Sequence, residues 1–114
     1  MDFYVYTSNG RVQLPKDLNL NGEWEVALSE IHTSTDQKYL LVTADFVDSL
    51  IVGDRIVKLL RKVHRFDLAF YNLYYVRVVS RYIHCLNIQI FNENNIEISE
   101  EVDLVLHFRS RSLY

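Results

Sequence analysis

Apolar and polar side chains alternate with a period of two along much of the chain. From Glu23 the beat is strict: Trp24, Val26 and Leu28 share one side, and Glu23, Glu25, Ala27 and Ser29 the other. A period of two predicts a strand with one buried face. The clearest alternation closes the chain, with Val102, Leu104, Leu106 and Phe108 expected inward and Asp103, Val105, His107 and Arg109 outward. Between them, Ile83 to Phe91 predicts another strand, with Leu86, Ile88 and Ile90 on one face and Cys85, Asn87, Gln89 and Phe91 on the other.

Shorter runs fill the gaps. Phe3 to Thr7 reads as a strand ending at Ser8-Asn9-Gly10, a turn signal. Pro15 cannot donate to a ladder, so Arg11 to Gly22 is expected as loop or edge strand. Tyr39 to Val47 predicts a long strand, and Tyr74 to Val79 another. Arg55 to Val63 is ambiguous: Ile56, Leu59, Leu60 and Val63 fit a helical face, while its β-branched residues and short length suit a strand. Asn92 to Asn95 predicts a hairpin turn, Ile96 to Ser99 a short return strand, and Glu100-Glu101 a second turn. Roughly seven to nine short strands with no βαβ rhythm point to an antiparallel sandwich or barrel.

Composition sharpens this picture. The 114 residues suit a single domain, and eight tyrosines with six phenylalanines favour pleated, half-buried surfaces. A formal charge of −3 is too small to drive the whole molecule towards nucleic acid or an anionic membrane. No segment reaches the roughly 20 apolar residues that a spanning helix needs. Asp2 and the lack of a basic leading region argue against a signal peptide. Cys85 stands alone, so no internal disulfide is expected and synthesis in a reducing compartment follows.

Catalytic patterns are missing. Gly10, Gly22 and Gly53 are isolated, whereas phosphate-cradling loops cluster their glycines. His84 and Cys85, as strand neighbours, point to opposite faces and make a poor metal pair; His32, His64 and His107 read as polar or capping residues. Glu23/Glu25 and Glu100/Glu101 read as a solvated face and a turn. No cofactor, no metal and no enzymatic role are therefore expected. Charge clusters once: Arg55, Lys58, Arg61, Lys62 and Arg65 fall within eleven residues, against an acidic stretch of Glu93, Glu97, Glu100, Glu101 and Asp103. These cations are candidate contacts for a neighbouring subunit or for nucleic acid.

Three motifs carry a resemblance. "LNLNGEWEVALSEIH", "VDSLIVGDRIVKLLRKV" and "YYVRVVSRYIHCLNIQIFNENNIEISEEVDLVLHFRSR" follow one another in order over most of residues 18–111. Together they resemble the penton-like minor capsid proteins of Maverick/Polinton elements and adintoviruses. The resemblance implies an all-β, antiparallel two-sheet sandwich, a single jelly roll of about eight strands spanning residues 1–114. It implies a viral structural protein of the virion: a vertex subunit forming a homo-oligomeric ring, a pentamer, beside a major capsid protein. Trp24, Val26, Leu28, Leu86, Ile88, Ile90, Leu104, Leu106 and Phe108 would fill the core, and Gly22, Gly53 and Asp54 would form turns. One departure stands out: only His32 to Lys38 join Ile31 to Tyr39, where the family carries a long insertion. That trimming leaves open an accessory or cement role in the shell. A small β-sandwich binding a protein or nucleic-acid partner is the reading from a different class, supported by the cations and the surplus tyrosines.

Overall fold

The structure is a computed structural model and describes residues 2–33, 36–64 and 69–111. Among the described residues ten strands follow in order: β1 (Asp2–Ser8), β2 (Gly10–Asn19), β3 (Trp24–His32), β4 (Tyr39–Ala44), β5 (Leu50–Val52), β6 (Arg55–Val57), β7 (Leu59–His64), β8 (Val76–Arg77), β9 (Tyr82–Phe91) and β10 (Asp103–Ser110). One four-stranded sheet has the order β1-β10-β3-β8, the other β2-β9-β4-β7, and β5-β6 form a separate hairpin. All pairings are antiparallel. Apart from the step from β4 to β7, which carries the hairpin, each connection between the eight main strands passes from one sheet to the other. That wiring is a jelly roll. Among the described residues no helix is long and apolar enough to cross a membrane.

The core lies where the inward faces meet. Trp24, Val26 and Leu28 pair with Ser110, Phe108 and Leu106, and Ile31 with Leu104. Val26, Leu28, Ile31, Leu106 and Phe108 are wholly buried. From the opposing sheet come Leu86, Ile88, Ile90, Leu40 and Val42. Phe108 stacks on Phe3 at 5.1 Å and on Phe46 at 5.8 Å, while Phe3 leans on the Trp24 ring at 5.5 Å. The Trp24 indole N–H donates to the Asn21 carbonyl at 2.9 Å, so its one polar atom is satisfied. Gly22, just before β3, holds φ at +86°, a conformation that a side chain would strain.

Corners are tied by side chains. Asn9 sits between β1 and β2: its Oδ1 accepts from the Val102 N–H at 3.0 Å and its Nδ2 donates to the Glu100 carbonyl at 3.0 Å. The start of the chain is thereby anchored to the approach to β10. At the Asn92 turn, Asn92 Oδ1 accepts from the N–H groups of Asn94 and Ile96, closing the loop after β9.

Arg55 to Val63, balanced between helix and strand in the sequence, forms β6 and β7, because hairpin pairing and the core both favour extended, β-branched residues. Several other expectations need correction. The strand from Tyr39 stops at Ala44, where the chain turns and buries Phe46 and Val47 instead. Tyr74 to Val79 contributes only Val76–Arg77, and the return strand after Asn95 shrinks to a single bridge between Phe91 and Glu97. Ala27, Val105 and His107 point outward as expected, yet all three are buried. A register break between Val105 and Leu106 sets Leu28 and Glu30 opposite consecutive residues of β10, bringing Ile31 inward out of phase with Leu28.

Phe108→Ala is expected to lower unfolding free energy by about 3–5 kcal/mol, seen as a lower urea midpoint at unchanged slope. Ile51→Ser, in the exposed hairpin, should stay within about 0.5 kcal/mol of wild type. Equal losses at both positions would contradict this placement of the core.

Candidate functional site

The outer face of the β1-β10-β3-β8 sheet is ordered in rows. Asp2 lies opposite Arg109, Arg109 opposite Glu25, and Glu25 opposite Arg77, so one row crosses all four strands with alternating charge. Arg109 Nε donates to Glu25 Oε1 at 2.5 Å, and Arg111 Nε approaches Glu25 Oε2 at 3.6 Å. The Glu25 hydrogen bond holds the Arg109 guanidinium above its ordinary pKa. The Arg109 guanidinium also lies 3.5 Å from the Tyr75 ring centroid, a cation–π contact. Exposed opposite-charge pairs across strands are screened by solvent, so the row specifies register more than it stabilises.

The next row holds a buried histidine. Tyr4, His107 and Ala27 lie opposite one another on β1, β10 and β3. His107 Nε2 meets Asp2 Oδ2 at 2.9 Å and His107 Nδ1 meets the Tyr75 hydroxyl at 2.6 Å. A carboxylate only accepts, so Nε2 carries the hydrogen; the Tyr75 hydroxyl, which can both donate and accept, completes the bond at Nδ1. Tyr4 stacks on the imidazole at 4.6 Å. Three distant stretches thus meet on one ring: the first strand, the loop before β8, and the last strand. Burial pushes the Tyr75 phenol above its ordinary pKa; the Arg109 charge opposes this, while Tyr4, Glu25 and Asp2 add to it. Donors and acceptors are matched within the array, which makes it a clamp that seats β1.

Sequence reading placed His107 and Arg109 on an outward face, took His107 as a polar or capping residue and gave Asp2 no structural place, and it missed the array. The only available signal was alternation, which put Asp2, Tyr4 and Tyr6 on one face of β1 and His107 and Arg109 on one face of β10. Joining those faces requires the pairing of strands about 100 residues apart, as the 105-residue separation of Asp2 and His107 illustrates.

The five sequence-derived cations do not form one strip. Adjacent Arg61 and Lys62 point to opposite sides: Arg61 lies 3.8 Å from the Phe70 ring centroid, and Lys62 4.2 Å from that of Tyr39. Arg55 donates to Asn95 Oδ1 at 2.7 Å, and Lys58 to the Asp45 carbonyl at 3.1 Å. Arg65 lies outside the described residues. Gly53 and Asp54 form the turn of the β5-β6 hairpin, with φ +63° at Gly53. Glycine at the first central position suits the two-residue turn that matches strand twist. The hairpin presents Ile51 opposite Ile56, both about three-quarters exposed. His84 on β9 meets Asp17 on β2 at 2.9 Å, whereas His32 meets Glu30, two residues back on the same strand β3, at 3.4 Å.

Two of the three sequence motifs are direct partners. Glu25-Val26-Ala27-Leu28 on β3 faces Arg109-Phe108-His107-Leu106 on β10, residue for residue. Comparison with known protein families, with curated proteins and with solved structures finds no match to this chain.

Because the native fold holds the Tyr75 proton more tightly than the unfolded chain, the associated stability is complete below about pH 10 and is lost as pH rises through the native value. Tyr75→Phe should therefore flatten the fall in urea midpoint as pH rises above about 10, while lowering the midpoint at neutral pH. An unchanged alkaline slope would mean that Tyr75 ionises without coupling to the fold.

Proposed function

We propose that the protein is a structural subunit of a viral capsid, a penton-like minor capsid protein whose copies form a homo-oligomeric ring, a pentamer, at the icosahedral vertex beside the major capsid protein. The observation that carries this reading is the jelly-roll wiring of two four-stranded sheets, in which the Trp-Glu-Val-Ala-Leu and Leu-His-Phe-Arg motifs occupy paired central strands. A jelly roll by itself hosts many functions, so the fold supports the reading without deciding it. Further support comes from the interior: wholly buried Leu28, Leu86, Ile88 and Leu106 fill the space between the sheets with side chains. A wall element needs such a rigid, filled body, with its recognition placed on rims and outer faces.

A closed ring of identical subunits uses a heterologous contact, two different surfaces meeting head to tail. The exposed β5-β6 hairpin, with Ile51 and Ile56 outward and Arg55 and Lys58 beside them, is one such projecting surface. The acidic Glu100, Glu101 and Asp103 on the approach to β10 offer opposite charge elsewhere on the chain.

Native mass spectrometry should find a species at five times the 13.5 kDa chain mass, weakened by raised salt. Monomer alone, persisting to high concentration at low salt, would refute the ring.

A further inference from the structure

The four edges of the two main sheets differ sharply in how they treat an approaching strand. On β2, Pro15, Lys16 and Asp17 lie within a register break between Gln13 and Leu18. On β7, Arg61 and Lys62 sit beside a break opposite Val42 and Thr43. β8 has two residues, and the Asp48 N–H already occupies the Arg77 carbonyl at 2.9 Å. Proline, cationic side chains, breaks in register and short length each discourage edge-to-edge pairing. β1 has none of these. Its seven residues run in unbroken register with β10, and its single charge, Asp2, is turned onto His107. Tyr4 and Tyr6 stand on its outer face, 56% and 79% exposed.

We infer that β1 is a self-association edge, pairing antiparallel with β1 of a second copy across a two-fold axis. Among the described residues the other three edges of the two main sheets are discouraged from pairing, and β5 and β6 are only three residues long, so β1 itself is the partner that offers β1 a full-length ladder. The strand is also self-complementary. With Val5 at the axis, all seven residues pair: Asp2 opposite Ser8 of the second copy, Phe3 opposite Thr7, and Tyr4 opposite Tyr6. Like charges never meet, and two tyrosine pairs form across the junction, the kind of cross-strand pair that stabilises sheets. Matching positions have equal parity, so outer faces meet outer faces and the partly buried Phe3 and Val5 extend the inner face. The stacking of Tyr4 on His107 holds one ring in place before association, which reduces the ordering cost.

The contact is isologous and closes at two copies. It is separate from the heterologous ring contact and does not require it; where both form, pairs of rings result. Substitution tests the register itself. Tyr4→Lys/Tyr6→Lys sets cations opposite cations in both pairs, whereas Tyr4→Lys/Tyr6→Glu sets each cation opposite an anion. Sedimentation velocity of the full chain should show two-fold association for wild type, weakened about tenfold or more in the first variant and kept in the second. Circular dichroism melts establish that both variants fold. Independently, β1 amide exchange in the wild type should slow as protein concentration rises, while the β2 and β7 edges should not change. Two-fold association untouched by Tyr4→Lys/Tyr6→Lys, association weakened equally in both variants, or β1 exchange independent of concentration would overturn the proposal. A five-fold species that persists in both variants leaves the ring standing when this edge fails, and its absence beside an intact two-fold species does the reverse.

Discussion

Pairing between β3 and β10 is the constraint on which the rest depends. These two central strands lie side by side in one sheet, although more than 70 residues separate Leu28 from Leu106. Their inward residues, Val26, Leu28, Ile31, Leu104, Leu106 and Phe108, form the floor of the core, and all are buried to within 1%. Once β10 is seated, β1 can pair on its free side, and β8 on the far side of β3. The opposing sheet then covers an apolar surface that already exists. Burial of that surface at roughly 25 cal/mol per Å² supplies the main driving force, while the strand hydrogen bonds contribute modestly and chiefly specify geometry.

The same register dictates the other face. Because side chains alternate, placing Phe108 opposite Val26 places Arg109 opposite Glu25 and His107 opposite Ala27. Tyr75 then covers what would otherwise be an ordinary wet surface, and burial of His107 becomes tolerable because both ring nitrogens have partners. A slip of one residue would exchange the two faces, exposing Phe108 and burying Arg109. Apolar floor and charged row therefore specify one register twice over. That redundancy holds the outer face in a single arrangement.

Edges express the remaining design. A sandwich, unlike a closed barrel, leaves four strands with backbone groups facing out, and three of these are closed by proline, by cations or by capping backbone. In a protein proposed to build a shell, the distinction between closed and open edges is functional, since it channels association towards chosen geometries. The projecting hairpin fits this scheme. Two strands alone are marginal in water, so an isoleucine pair held outward on such an arm favours a contact that buries it.

Alternation by itself pointed to an antiparallel β-sandwich or barrel and showed which side of each long strand is apolar: Trp24, Val26, Leu28, Leu86, Ile88, Ile90, Val102, Leu104, Leu106 and Phe108 read inward and lie inward, since a period of two puts alternate residues on one face. The turns at Gly22 and Gly53 were equally legible, because the backbone there takes a conformation that other residues resist. Where local preference was balanced, as at Arg55 to Val63, pairing partners chosen by the whole chain settled the outcome. Tertiary structure alone decided that His107, Val105 and Ala27 are buried, that Arg61 and Lys62 part company, and that Asp2, Tyr75 and His107 meet. Those facts depend on which strands become neighbours across a hundred residues, and the energy that selects the neighbours resides in the assembled core, which local sequence does not display.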